Sequence, residues 1–145
     1  MCRINVFSLW RSEHPDVGIT LEQAAAVVAY TYEGFLYRPL NTVLRERNRE
    51  AVKPWFPFVK LLIYGLRAMP TSPGVTWRGV KKNLARSFRK GKQYFDWSVV
   101  STSVEEETVQ SFLGDEGPRT LIRVEGHTGV NIQDLSAYQE SEVVF

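Results

Sequence analysis

The chain has 145 residues, the size of one compact domain with its own core. Hydrophobic residues make up 43% of it and charged residues 23%, ordinary values that exclude a disordered or fibrous protein. The net charge of +2 is too small to identify an anionic partner. The one cysteine, Cys2, excludes a disulfide framework and a cysteine-based zinc site, so no metal is expected.

The sequence has no pattern that would direct it into or across a membrane. Residues 1–13 have no long apolar core and no cleavage signature, so no signal peptide is predicted. The longest apolar stretch, residues 55–69, contains Pro57, Lys60, Gly65 and Arg67 and is too short and too polar to span a bilayer. A reducing, cytoplasmic compartment is therefore predicted. A secreted effector trimmed of its export signal would look the same and stays open as an alternative.

The first half of the chain has the periodicity of helices. Thr20 with Gln23 three residues later is a capping-box pattern, and the apolar residues that follow recur at spacings of three and four. These residues are Leu21, Ala24, Ala25, Val28, Tyr32 and Phe35. A second helix is predicted for residues 40–48, and a third from Pro54 to the helix-breaking segment 70–74.

The spacing of hydrophobic residues changes in the second half of the chain, where short segments rich in β-branched and aromatic residues predict strands. These segments are residues 75–80, 97–102, 120–124, 130–132 and 142–145. Between them, Ser103 can cap a short helix that runs to Leu113, with acidic residues 105–107 in its first turn. Helices first and strands afterwards predict an α+β domain.

Arg78 and Gly79 stand out inside the apolar strand 75–80. A guanidinium in such a strand costs desolvation free energy unless it meets an anion, and a glycine beside it lets a ligand approach the backbone closely. A carboxylate partner within the protein is the alternative explanation.

Two further segments carry candidate chemistry. Ser101, Thr102 and Ser103 end one strand, where their hydroxyls can cap the following helix or hold a neighbouring carboxylate. Glu140 and Glu142 project to the same side if their stretch is extended. Such a pair is either a solvated surface feature or a site for acid–base and cation-stabilising chemistry at an anomeric carbon.

The order and spacing of these three segments resemble the arginine–serine–glutamate class of mono-ADP-ribosyltransferases. This class includes vertebrate arginine-specific transferases and bacterial binary toxins. The resemblance covers nearly the whole chain from Thr20 onward. Tyr30, Asn41 and Arg45 resemble the family's leading helix, and residues 66–70 its approach to the Arg-Gly motif. Residues 121–143 resemble its C-terminal strands.

This resemblance implies a fold and a reaction. The implied fold is α+β, with N-terminal helices packed on a mixed, mainly antiparallel core of two sheets. Residues 1–145 would form a single catalytic domain, with residues 1–18 as an N-terminal extension. The implied reaction uses NAD⁺ as co-substrate and transfers ADP-ribose to a protein arginine, with no metal. Because the family continues with another apolar strand beyond the position of Phe145, the last strand is expected to be missing.

The resemblance also implies roles for individual residues. Arg78 matches the arginine that contacts the NAD⁺ phosphates, and Gly79 the residue whose backbone holds the nicotinamide carboxamide. Ser101 matches the serine that braces the catalytic glutamate. Glu142 matches that glutamate, which hydrogen-bonds the ribose 2′-hydroxyl, and Glu140 matches the residue that marks arginine specificity.

Two more residues match family positions. Phe112 corresponds to the aromatic that packs on the nicotinamide, with a place in the core as the alternative. Asn83 corresponds to a polar side chain near the amide or the phosphate.

Two other functions stay open at this stage. The same fold could pass ADP-ribose to water, as an NAD⁺ glycohydrolase. Alternatively, the basic segment 78–92, with aromatic residues at 88, 94, 95 and 97, could form a non-catalytic module that stacks single-stranded nucleic acid. Nucleic acid is not the expected partner, because those aromatics fit a core equally well.

Overall fold

Helices occupy the first half of the chain and strands the second, so the predicted α+β class is confirmed. The computed structural model describes residues 4–32, 36–136, 138 and 141–145; Cys2 and Phe35 lie outside them. The helices are α1 (Ile4–Glu13), α2 (Leu21–Thr31), α3 (Tyr37–Glu46), α4 (Arg49–Val52), α5 (Phe56–Ala68) and α6 (Glu106–Leu113), with 3-10 turns at Lys53–Trp55 and Gln133–Leu135. No helix in these ranges is long and apolar enough to cross a membrane.

Helix α2 begins at the predicted capping box. The Thr20 hydroxyl accepts a hydrogen bond from the Gln23 amide at 3.3 Å, and the Gln23 side chain accepts one from the Thr20 amide at 3.0 Å. These reciprocal bonds satisfy amides that a helix start leaves without partners. This local pattern was readable from two residues alone.

The core lies where α2 packs on α5 and both meet the sheet. Val27 and Leu62 are fully buried there. Gly65 allows the close approach of the two helices, since a Cβ at that position would lie 3.1 Å from the Gln23 carbonyl oxygen. Within the predicted N-terminal extension, residues 4–13 form α1, and its Trp10 is buried in the same core.

The described strands form one antiparallel sheet in the order β3-β1-β2-β5-β4. They are β1 (Gly74–Val80), β2 (Ser101–Ser103), β3 (Thr120–Gly126), β4 (Val130–Asn131) and β5 (Glu142–Val144). The two expected sheets are therefore joined. The junction is narrow, because β1 pairs with β2 only through Trp77 and Ser103, whereas β1 and β3 pair along their whole length.

Strand β2 begins at Ser101, four residues later than predicted. The later start is caused by contacts between Val99 and side chains of the distant helices α2 and α3. The Val99 amide donates to Asn41 Oδ1 at 2.9 Å, and the Val99 carbonyl accepts from the Tyr30 hydroxyl at 3.2 Å. Side chains of α2 and α3 thus take the backbone groups that a longer strand would use. Val100 still exchanges hydrogen bonds with Phe145, at 3.0 and 2.9 Å.

Several helix boundaries also differ from the prediction: α3 begins at Tyr37, three residues earlier than predicted, and α5 at Phe56, two residues later. Helix α6 begins at Glu106 because Ser103 is held in β2, opposite Trp77 and Glu142, instead of capping the helix. Helix α3 ends at Glu46 because Asn48 caps the next helix, where its side chain accepts from the Glu50 amide at 3.1 Å.

Candidate active site

Ser101 and Glu142 lie on adjacent strands and on the same face of the sheet. The register of β2 and β5 pairs Ser103 with Glu142 and Ser101 with Val144. Facing residues and residues two apart share a face, so Ser101 is the diagonal neighbour of Glu142 and Ser103 its direct neighbour. The Ser103 hydroxyl accepts a hydrogen bond from the Glu105 amide at 3.1 Å. Diagonal neighbours in a sheet lie about 7–8 Å apart, so the Glu142 side chain is long enough to reach the Ser101 hydroxyl.

Buried polar atoms without partners mark this part of the molecule. In the described residues, the buried side-chain atoms that lack a hydrogen bond are Arg78 Nη1, Ser101 Oγ and Thr76 Oγ1. Natural proteins leave few such groups, because each costs about 1–3 kcal/mol of folding free energy. Two of the three are the predicted arginine and serine of the site. Orphaned donors of this kind are expected where a polar or anionic ligand binds.

Arg78 is placed on β1 by its pairing with Ile122 of β3. No described carboxylate lies within ion-pair distance of its guanidinium, so the alternative of an internal carboxylate partner finds no support there. Arg78 does act at longer range on Asp96. Burial alone would raise the pKa of Asp96, but hydrogen bonds from Ser98 and the charges of Arg78 and Arg45 outweigh burial and lower that pKa.

Tyr30 and Asn41 hold the segment that leads into Ser101. Asn41 is 1% exposed; its amide nitrogen donates to the Tyr30 hydroxyl at 3.0 Å and its oxygen accepts from the Val99 amide at 2.9 Å. The Tyr30 hydroxyl donates in turn to the Val99 carbonyl. The backbone amide and carbonyl of Val99, two residues before Ser101, are therefore held by side chains of helices α2 and α3.

The Tyr30 hydroxyl also lies close to the candidate site. Burial raises its pKa well above the usual value, interactions with Asn41 and Ser101 act in the opposite direction, and the negative charge of Glu142 raises it further. The Ser101 hydroxyl thus acts on Tyr30 without forming a hydrogen bond of normal geometry. Tyr30 remains a protonated donor to Val99. Sequence analysis marked Tyr30 and Asn41 only by resemblance and missed this positioning role.

Gly79 has a packing reason of its own. A Cβ at this position would lie 2.8 Å from Leu113 Cγ and 2.9 Å from Val109 Cγ1, so only glycine lets α6 pack this closely on β1. The glycine that was predicted to admit a ligand is thus required by the neighbouring helix in any case.

Phe112 is 61% exposed on α6, so its side chain does not belong to the core. The Lys81 ammonium lies 4.7 Å from the centre of its ring. A cation at that distance from an aromatic face is attracted by the ring quadrupole. The ring therefore lies at the surface of α6, with the Lys81 cation over it.

One predicted site residue, Asn83, is not brought together with the others. Asn83 is exposed; its side-chain oxygen accepts from the Ala85 amide at 3.0 Å, and it lines an open pocket beside β3 that Arg78, Ser101, Phe112 and Glu142 do not line. Glu140 lies outside the described residues. In the described ranges, no group of three or more His, Cys, Asp or Glu side chains is arranged to hold a metal ion.

We predict that Asn41→Ala lowers the free energy of unfolding by about 1–3 kcal/mol, since the Val99 amide loses its acceptor and the Tyr30 hydroxyl loses the hydrogen bond that it accepts from Asn41. Urea denaturation measures this change. Thr42→Ala, an exposed site on the same helix, is the matched control and should change stability by less than about 0.5 kcal/mol. Equal effects of the two substitutions would contradict the role given to Asn41.

Known proteins resemble this chain in sequence and in fold. A family model described as NAD:arginine ADP-ribosyltransferase matches residues 7–145. An erythroblast NAD(P)(+)–arginine ADP-ribosyltransferase of Gallus gallus is 30% identical over 145 residues, covering 93% of this chain and 47% of that protein. The ADP-ribosyltransferase Vis of Vibrio splendidus, solved with agmatine, is 21% identical, with a TM-score of 0.69 and coverage of 100% of this chain and 75% of Vis. A variant of the eukaryotic mono-ADP-ribosyltransferase ART2.2, solved with NAD, is 21% identical, with a TM-score of 0.72 and coverage of 97% and 65%.

The chain therefore belongs to the NAD:arginine ADP-ribosyltransferase family. At 21% identity, the two solved structures show that the fold is shared. The chain spans about half the length of the curated relative that it matches.

Proposed function

We propose that this domain transfers ADP-ribose from NAD⁺ to a protein arginine and releases nicotinamide. The observation that supports the proposal most directly is the pair of unpartnered buried atoms, Arg78 Nη1 and Ser101 Oγ, in a chain of this family. A donor that is costly to leave unpaired in the free protein gains a partner when an anionic ligand binds. The residues present thus fit a dinucleotide.

Arg78 would hold the pyrophosphate of NAD⁺. Its guanidinium is planar and permanently charged, and its fork of N–H donors matches phosphate oxygens in a two-point contact. Because no described carboxylate pairs with it, the guanidinium is available to an incoming anion.

Glu142 would stabilise the charge that develops as nicotinamide leaves. The bond between ribose C1′ and the pyridinium nitrogen breaks, its electron pair goes to nicotinamide, and the ribose acquires oxocarbenium character. A fixed carboxylate near C1′ stabilises that positive charge, most effectively where water is excluded. The Glu142 backbone is held on both sides, since its strand pairs with β2 and its carbonyl accepts from the Ile132 amide at 3.0 Å.

The acceptor arginine needs help to react. A guanidinium with a pKa above about 12 is a poor nucleophile. A second carboxylate can orient it by hydrogen bonds and take its proton as the new bond from nitrogen to C1′ forms. We assign that role to Glu140, two residues before Glu142 in the sequence.

The direct test is incubation with NAD⁺ labelled in the adenylate part, with agmatine or polyarginine as acceptor. We expect nicotinamide release and label on the acceptor. The Vibrio splendidus relative solved with agmatine makes agmatine a suitable small acceptor. Nicotinamide release without labelled acceptor would instead favour an NAD⁺ glycohydrolase.

We predict that Glu140→Gln lowers transfer to agmatine by roughly 10²–10⁴-fold, the usual contribution of a general base. Hydrolysis of NAD⁺ should persist within a few-fold, because Glu142 is unchanged. Glu116→Gln, an exposed carboxylate in the loop before β3, is the control and should change neither reaction. If Glu140→Gln modifies agmatine as well as the parent does, the role given to Glu140 is wrong.

A further inference from the structure

A basic loop (residues 81–92) connects β1 to the segment before β2. It contains six cations and no carboxylate: Lys81, Lys82, Arg86, Arg89, Lys90 and Lys92, all exposed. None of the six forms an ion pair with a described carboxylate. A whole loop of unpaired positive charge attracts anionic partners and repels cationic ones.

A pocket of about 550 Å³ opens between this loop and β3. Its apolar walls come from Leu84 and Phe88 of the loop and from Leu121 and Ile122 of the strand. Arg119 and Arg123 lie on the strand side, and only Arg123 is paired, with Glu125 at 3.3 Å. The volume suits one or two side chains, and apolar walls with a few charges around them are typical of binding sites.

The pocket is built into the fold. The Thr120 hydroxyl accepts from the Leu84 amide at 3.0 Å and donates to the Lys82 carbonyl at 2.7 Å. The Leu84 carbonyl accepts from the amides of Ser87 and Phe88 at 2.9 and 3.3 Å. Residues 82–84 of the loop are therefore bonded to β3, and residues 84–88 form a hydrogen-bonded turn. These bonds fix the backbone that carries the cations.

The basic loop also adjoins the candidate active site. It begins at Lys81, two residues after Gly79 in the chain, and the Lys81 ammonium lies over the ring of Phe112. Glu142 lies on β5, two strands from β1 in the sheet, so an acceptor arginine at Glu142 would be about 10 Å from the strand that leads into the loop.

We propose that the basic loop and its pocket form the docking surface for the acceptor protein, and that they select an acidic segment carrying an apolar side chain. This inference rests on the proposed transferase function. The cations match the acidic groups of the segment, and the apolar side chain enters between Phe88 and Ile122. Charge complementarity of this kind selects partners and speeds association more than it raises affinity.

The surface fits a peptide better than a nucleic acid. Single-strand platforms present several aromatic faces in series for the bases. Here the walls are mainly aliphatic, and Phe88 meets Tyr94 edge to face, with centroids 5.1 Å apart and an angle of 68° between the rings. The Tyr94 hydroxyl accepts from the Arg89 amide, which holds Tyr94 edge to face against Phe88 and not stacked in series with it.

The test compares three acceptors: agmatine, an arginine peptide flanked by glutamates and one leucine, and a peptide of the same length flanked by serines. We expect the parent to modify the acidic peptide at least tenfold more efficiently, by kcat/KM, than the serine peptide. The triple variant R86E/R89E/K90E should lose this preference and keep agmatine transfer within twofold. Replacing the leucine by alanine, or Phe88 by aspartate, should reduce the preference.

The matched control is R49E/K60E/R67E, which reverses three exposed cations elsewhere and changes the net charge equally. It should keep the preference for the acidic peptide. Thermal unfolding of every variant checks that it is folded. A parent without preference at low salt, a preference that survives R86E/R89E/K90E, or an equal loss of agmatine transfer in that variant would each overturn the proposal.

A binding measurement separates this proposal from the proposed function. Fluorescence anisotropy of the labelled acidic peptide, without NAD⁺, should show binding by the parent and not by R86E/R89E/K90E. If NAD⁺ is not turned over but the peptide binds in this way, the transferase function fails and the surface stands. Tighter binding of a labelled oligothymidine than of the peptide would overturn the peptide surface.

Discussion

Glu142→Gln is expected to lower nicotinamide release and ADP-ribose transfer together, by roughly 10²–10³-fold. Glutamine keeps the size and the hydrogen-bonding reach of the side chain but removes the negative charge. The charge matters to the first step, in which the ribose becomes cationic, so both the hydrolytic and the transfer reactions depend on it. The measurement is the rate of nicotinamide release with and without agmatine.

The fold of this variant should be preserved. Glu142 is only half-buried, and the hydrogen bonds that hold its strand use the backbone. Glu107→Gln, an exposed carboxylate on α6, is the matched control and should retain full activity. The contrast with Glu140→Gln is the sharper check: Glu140 is expected to affect transfer alone, and Glu142 to affect both reactions. If Glu142→Gln has activity within a few-fold of the parent, the negative charge of Glu142 does not have the role proposed for it.

Arg78→Met is expected to weaken binding of NAD⁺ by roughly 10- to 150-fold, which corresponds to the loss of charge-assisted hydrogen bonds worth about 1.5–3 kcal/mol. The free energy of unfolding, in contrast to the affinity for NAD⁺, should change little. Methionine removes a buried donor that has no partner in the described structure, and it also removes a charge that helps to lower the pKa of Asp96. Because these effects oppose each other and Arg45 still acts on Asp96, the free energy of unfolding should change by less than about 1 kcal/mol.

Isothermal titration with NAD⁺ and urea denaturation measure the two quantities separately. Arg78→Lys keeps the charge but loses the fork of donors, so its affinity should lie between those of the parent and Arg78→Met. Arg67→Met, an exposed cation on α5, is the control for a general change of charge. A large loss of stability in Arg78→Met with little change in affinity would mean that Arg78 serves the fold and not the ligand.

Features decided by neighbours in sequence could be predicted from the sequence. The capping box of Thr20 and Gln23 depends on residues three apart, and the change from helical to strand period is visible within each segment. The order and spacing of the Arg78, Ser101 and Glu142 motifs, with the flanking segments from Thr20 onward, identify the family to which the chain belongs. The roles of individual site residues stay predictions.

The ends of helices and strands, and the burial of individual side chains, depend on contacts between residues far apart in the sequence. The start of β2 was placed too early because nothing near Val99 indicates that Asn41 and Tyr30, 58 and 69 residues away, take its backbone groups. Phe112 could have been a core residue on its helical spacing, and only the packing of α6 on β1 leaves it exposed.

By itself the sequence determined the α+β class, the helix start at Thr20 and the residues of the family motif, because each depends on local spacing and side-chain chemistry. Tertiary structure alone decided which groups are left without partners, which hydroxyl lies across from Glu142, and where the basic loop meets an apolar pocket. Strand register and hydrogen-bond satisfaction are set by the pairing of segments far apart in the chain, and no local pattern encodes them.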